Sequence, residues 1–211
     1  MRGVSCGDNH TGAYTEEGQL YAWGWGEYGR LGLGDQELVS TPTQVRGALE
    51  DCLVVGVSCG AAHTLVLTLP GSVYAFGLNE YGQVRRRGNN HHAGPGLVAA
   101  TASTLGSTSS SHQEHHVLSP IRVLDFTDDE NDEEGVRPVK VSAGFGHSAV
   151  LLSNGKMFLW GFGEEGQIGL GDESSVGQPA ELDLLPDGVM VFDIALGHCH
   201  TTALVSRAMP G

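Results

Sequence analysis

A seven-residue motif recurs four times in this chain, and its spacing constrains the fold more than any other feature. It reads Val4-Ser-Cys-Gly-Asp-Asn-His10, Val57-Ser-Cys-Gly-Ala-Ala-His63, Val141-Ser-Ala-Gly-Phe-Gly-His147 and Ile194-Ala-Leu-Gly-His-Cys-His200. The histidines lie 53, 84 and 53 residues apart. A second block, Trp23-Gly24, Phe76-Gly77 and Trp160-Gly161, recurs at spacings of 53 and 84. Units repeated at such a length are supersecondary elements that bury their apolar faces only by stacking on one another. The repeats run over about 4–56, 57–140, 141–193 and, in part, 194–211. The second is longer by 31 residues, which fall in a low-complexity insertion at 85–116 and an acidic loop at 125–134.

Each repeat reads as strands. Runs such as Thr64–Thr68 lead into a turn at Gly18, Gly71 or Gly155. The chain then returns through Leu20–Trp23, Val73–Phe76 or Met157–Trp160, which predicts a hairpin. These runs are apolar at nearly every position, as expected of strands covered on both faces, and Trp23 and Trp160 align as core residues. A further strand is expected near Thr43–Arg46 and its equivalents, after Pro42, Pro120 and Pro179, giving about four strands per repeat, the content of a propeller blade. The 32 glycines exclude a long helical bundle, because each costs about 0.5–1 kcal/mol inside a helix. Gly26, Asn79 and Gly163 share one aligned position, which predicts a left-handed turn there. Gly29, Gly82 and Gly166 do not vary between copies, nor do Gly7, Gly60, Gly144 and Gly197, or Gly24, Gly77 and Gly161. Close backbone approach or a special dihedral is expected at such positions.

The longer pattern V-S-x-G-x-x-H-(S/T)…G-x-(V/L)-Y-x-W-G-x-G-x-x-G-(Q/R)-L-G-L-G-D stands here as Val4–Asp35 and Val141–Asp172, with a degraded copy from Val57. It resembles the regulator of chromosome condensation repeats. The resemblance covers nearly all of the chain outside the insertion. It implies an all-β fold: an incomplete β-propeller of about three four-stranded blades, a fragment of a ring that usually has seven. Seven blades of this period would take about 371 residues, so the ends of this chain are expected to expose sheet faces and to self-associate. The resemblance also implies a non-enzymatic protein-interaction or scaffold module without cofactor. One alternative is guanine-nucleotide exchange on a Ran-like small GTPase, the activity of the founding member. Another is a repeat region of a larger ubiquitin ligase. The partner would be a protein, such as a small GTPase or a ubiquitin-pathway component. The family's plant ultraviolet photoreceptor carries Gly-Trp-Arg-His-Thr in this motif. Here that slot reads Asp8-Asn9, Ala61-Ala62, Phe145-Gly146 and His198-Cys199, so photoreception is not supported.

Charge and composition narrow the chemistry. Eleven Lys and Arg face 25 Asp and Glu, a net charge of −14, and seven of the acids lie in Asp125–Glu134. Such a surface repels phosphate backbones, so direct nucleic-acid binding is not expected. No stretch of 18 apolar residues exists to span a membrane. Cys6, Cys52, Cys59 and Cys199 show no CxxC spacing. Cys6 and Cys59 align with Ala143 and Leu196, which points to packing sites and to a reducing compartment, the cytoplasm or the nucleus. Gly24–Gly29 and Gly161–Gly166 fit G-x-G-x-x-G, but the chain continues Arg30-Leu-Gly-Leu-Gly34 and Gln167-Ile-Gly-Leu-Gly171, which no dinucleotide-binding helix would tolerate. His10, His63, His147 and His200 head apolar strands and read as structural, their ring nitrogens satisfying nearby backbone groups, rather than as a metal ring or a general base. His91, His92, His112, His115 and His116 read as part of an unstructured polar tract, not as metal ligands. Candidate partner contacts are Trp25 and Phe162, which align with each other, and Asp128, Asp129 and Glu130. The acidic run reads either as a solvated loop or as a contact for a basic partner, such as a histone tail or a GTPase patch.

Overall fold

The computed structural model describes residues 1–85, 116–125, 135–183, 186 and 188–207. The insertion between Arg85 and His116, and Asp128, Asp129 and Glu130, lie outside these residues. The first sheet comprises β1 (Gly3–Cys6), β2 (His10–Tyr14), β3 (Leu20–Gly24) and β4 (Val39–Gln44). The second comprises β5 (Leu53–Cys59), β6 (His63–Leu69), β7 (Ser72–Leu78) and β8 (His116–Asp125). The third comprises β9 (Pro138–Ala143), β10 (His147–Leu152), β11 (Met157–Gly161) and β12 (Val176–Glu181). A two-stranded sheet of β13 (Val189–Leu196) and β14 (Thr201–Arg207) follows. Each sheet is an antiparallel meander with strands in chain order, and the set does not close into a ring. This is the incomplete four-stranded-blade propeller that the repeat predicts.

The strand pleat explains why the sequence is apolar on nearly every position. Val66 of β6 packs with Leu20, Val54 and Phe76 between the first and second sheets, while its neighbours Leu65 and Leu67 pack with Val141, Val150 and Trp160 between the second and third. In β10, Val150 and Leu152 join that second core, and Ala149 and Leu151 join Met157, Leu159, Val191 and Ile194 in the third. Successive side chains point to opposite faces, so a strand covered on both sides needs an apolar residue at each step.

The outer strands differ from expectation. They start before their prolines, and Pro42, Pro120 and Pro179 lie inside β4, β8 and β12. Each of these strands is the edge of its sheet, where a residue without an N–H can be held, and the ladder shifts register beside each one. Trp23 is a second correction. Trp160 is fully buried against the second sheet, but Trp23 is only half-buried, because its side of β3 faces away from the second sheet and no sheet covers it. For the same reason Val4 is 66% exposed although its equivalents Val141 and Ile194 are buried. At the other end, Phe192 and Leu204 are exposed.

The glycines also divide differently. Gly26 sits at φ −88°, and neither Asn79 nor Gly163 has a positive φ, so the expected left-handed turn is not there. Gly26 and Gly163 are instead required by crowding: a Cβ would overlap the carbonyl oxygen of Glu37 or of Ser174. The glycines that do not vary in these loops, Gly29, Gly82 and Gly166, are left-handed, at φ 77°, 81° and 72°.

Candidate functional site

The histidine motif forms the joint between neighbouring sheets. His10 Nε2 lies 2.8 Å from Thr64 Oγ1, His63 Nε2 lies 3.0 Å from Ser148 Oγ, and His147 Nε2 lies 3.2 Å from Thr201 Oγ1. The Nε2 of each ring therefore reaches a side-chain hydroxyl of the next repeat, where the sequence suggests backbone partners. The buried Nδ1 atoms of His10, His63 and His147 have no hydrogen-bond partner among the described residues. Thr64, Ser148 and Thr201 in turn donate to the carbonyls of Arg30, Gln83 and Gln167 at 2.9, 2.7 and 2.8 Å. A hydroxyl has one proton to give. With that proton committed to the carbonyl, the imidazole must be the donor, which fixes the neutral Nε2–H tautomer. Burial pushes the pKa of His10 and His147 down to about 4 and that of His63 down to about 3, with Arg30 adding to the shift at His10. A second relay runs alongside, as the N–H groups of Cys59, Ala143 and Leu196 donate to Ser5, Ser58 and Ser142 of the preceding repeat at 3.0, 2.9 and 3.1 Å. Gly7, Gly60 and Gly144 sit under their histidine rings, where a Cβ would collide with the ring and with the next repeat's glycine carbonyl. Gly197 sits under His200, which is exposed. The hydroxyl after every histidine was visible in the motif, but only the stacked sheets give it a partner.

The loops that follow β3, β7 and β11 gather with the histidine loops on one face. Trp25 is 45% exposed there, and Phe162 is half-buried against Tyr81 with ring centroids 4.7 Å apart. Beside Trp25, the Arg30 guanidinium lies 5.2 Å from the indole and 5.3 Å from the ring of Tyr28. Its Nε donates to the carbonyl of Glu27 at 2.8 Å, its Nη1 donates to the carbonyl of Ala61 at 3.2 Å, and the Glu27 carboxylate is 3.9 Å away.

Arg30 also explains the left-handed backbone of Tyr28, at φ 64°. In the other repeats the equivalent N–H groups, of Tyr81 and Glu165, donate to Gln83 Oε1 and Gln167 Oε1, both at 2.9 Å. Arginine has no acceptor to offer. The Tyr28 N–H turns instead to Gln36 Oε1 at 2.9 Å, into a conformation that costs about 1–3 kcal/mol for such a side chain. Tyr28 then stacks on His116 at 4.9 Å, and Phe145 stacks on His198 at 4.1 Å.

The two expansions of the second repeat are rooted at opposite ends of one ladder. The insertion leaves after Arg85, whose carbonyl accepts from Asn79 Nδ2 at 2.8 Å, and returns at His116, paired with Leu78. Both roots belong to the aromatic face. The acidic segment leaves after Asp125, paired with Ser72 at the far end. Trp25 and Phe162 thus share a face from which the acidic segment does not depart. Sequence reasoning missed Tyr28, Tyr81, Phe145 and His198 on that face. The aligned aromatic positions in the loops were the available signal.

Two family models described as regulator of chromosome condensation (RCC1) repeat match the chain, one at residues 17–67 and 154–204, the other at 2–30, 54–83 and 139–167. Among relatives, Ultraviolet-B receptor UVR8 of Arabidopsis thaliana is 29% identical over 97% of this chain and 39% of its own length. The human E3 ubiquitin-protein ligase HERC2 is 32% identical over 95% of this chain and 4% of its own length. Prp20p from Saccharomyces cerevisiae, whose structure was described with its binding properties to Gsp1p and histones, superposes with a TM-score of 0.75 at 21% identity. That match covers 98% of this chain and 44% of Prp20p. The chain therefore spans less than half the length of each of these proteins.

Proposed function

This chain belongs to the regulator of chromosome condensation (RCC1) repeat family, and from that premise we propose that it is a non-catalytic interaction module that engages a protein partner through its aromatic loop face. A single observation supports this most directly. The sheets are held rigid by buried relays, while Trp25, Phe145 and His198 are left exposed or half-exposed together on the loops of one face. Exposed aromatic surface on loops carried by a rigid scaffold is a common design for protein recognition. The acidic positions Asp128, Asp129 and Glu130 are a separate candidate contact. The reading places the module in the cytoplasm or nucleus, in keeping with four free cysteines. No described helix is long and apolar enough to cross a membrane.

The test is quantitative affinity capture with the wild-type chain, a Trp25→Ser/Phe162→Ser variant, and Val139→Ser at the opposite end of the strands. Partners lost with the first variant and kept with the second support the reading. An unchanged partner set removes it. The likeness to HERC2 favours a second reading, a repeat region within a larger ubiquitin ligase, which the parent gene's downstream sequence decides. Guanine-nucleotide exchange is tested by nucleotide release from Ran-like GTPases, and no acceleration by the complete parent protein eliminates it.

A further inference from the structure

Two pairs of rings, flanking one histidine loop, make a strip on the loop face. Tyr81 and Phe162, from consecutive repeats, meet over Gly146, where a Cβ would come within 3.1 Å of Phe162 Cβ and 3.3 Å of the Tyr81 ring. Phe145, the preceding residue, packs on His198 across the following boundary. The exposed carboxylate Glu80 adjoins Tyr81 in the chain, and exposed Glu164 lies two residues after Phe162.

The first repeat shows which chemistry these residue types hold. Tyr81 and Phe162 stand at the positions of Tyr28 and Trp25, and Glu80 and Glu164 at that of Glu27. In the first repeat those groups surround the guanidinium of Arg30. Gln83 and Gln167 occupy the arginine's position in the other two repeats, where Leu78 replaces Trp25 and Glu165 replaces Tyr28. The one ring that each of these repeats keeps, Tyr81 or Phe162, meets the other across their boundary, with the acids retained and no arginine at that position. Arg85, the next basic residue, is half-buried at the root of the insertion.

We propose that this strip docks a basic, extended segment of a protein partner, with a Lys or Arg side chain seated against Tyr81 and Phe162 and facing Glu80 and Glu164. The inference rests on the interaction-module reading and specifies its partner. Ring faces attract cations, the neighbouring carboxylates add to that attraction, and a net charge of −14 draws basic segments while repelling anionic ones.

The experiment is fluorescence anisotropy of the full chain with a labelled ten-residue peptide of Arg, Lys, Gly and Ser, beside neutral Gly–Ser and acidic oligo-Glu peptides. The basic peptide is expected to bind, and paired Glu80→Gln and Glu164→Gln to weaken it about tenfold. The same charge change at exposed Glu16 and Glu17, in the turn between β2 and β3, is expected to shift binding less than twofold. Phe162→Ala should weaken binding with circular dichroism unchanged, and Tyr81→Phe should preserve it. No binding of the basic peptide, equal losses at Glu16 and Glu17, or preference for oligo-Glu would overturn the proposal. If the Trp25→Ser/Phe162→Ser variant still loses its captured partner while the basic peptide fails to bind, this proposal falls and the interaction reading stands.

Discussion

Replacing Ser148 by alanine takes one oxygen out of the boundary between the second and third sheets, and two hydrogen bonds go with it. Ser148 is fully buried, accepts from His63 Nε2 at 3.0 Å and donates to the Gln83 carbonyl at 2.7 Å. The two partners fare differently. The Gln83 carbonyl keeps a donor, Trp160 Nε1 at 2.8 Å, so its loss is near the net value of one hydrogen bond, about 1 kcal/mol. The His63 N–H is left buried without an acceptor, which costs about 1–3 kcal/mol. The expected destabilisation is therefore about 2–4 kcal/mol, from a change that removes no apolar contact. Thr201→Val breaks the equivalent relay at the third boundary, where the hydroxyl is only half-buried and its bond to His147 is longer, and should cost less, about 1–2 kcal/mol. Urea unfolding followed by circular dichroism measures both, and nitrogen NMR of the imidazoles should show Nε2 protonated in the wild-type chain. Equal, small effects of the two variants, or protonation at Nδ1, would refute the relay.

Three further predictions share this physics. The buried rings of His10, His63 and His147 have folded pKa values well below 6.5, so their contribution is complete above pH 6.5 and is lost as pH falls toward 4. This amounts to roughly 3 kcal/mol per ring by pH 4, and urea midpoints that stay constant from pH 7 to 5 would contradict it. Gly26→Ala should destabilise by several kcal/mol through overlap with the Glu37 carbonyl although its φ is ordinary, whereas Gly166→Ala, at φ 72° with no atom near its Cβ, should cost only about 1–2 kcal/mol. Thermal melts that reverse this order would show that dihedral outweighs crowding here. The 211-residue chain should self-associate through its uncovered sheet faces, and Phe192→Glu with Leu204→Glu should raise the monomer fraction seen by light scattering. A wild-type chain that is already a sharp monomer would oppose this.

Periodicity alone determined the sheet-forming unit, the tight hairpins and the number of strands per repeat, because each depends on residues close together in the chain and repeated at 53. The family followed from the motif's resemblance to known repeats. What lies across a sheet boundary was decided only by the tertiary structure. His10 finds Thr64, 54 residues away, and His63 finds Ser148, 85 away, whereas the local pattern suggested only backbone partners. Trp23 and Trp160 align in sequence, yet stacking buries one and leaves the other half-exposed. Gly26 looks like a dihedral requirement until Glu37 is seen folded against it. The aromatic strip has the same origin, since Tyr81 and Phe162 come from different repeats and meet only when the sheets stack. A repeat records the shape of its own unit, but the neighbour that covers each face enters through packing between units, which no single stretch of chain contains.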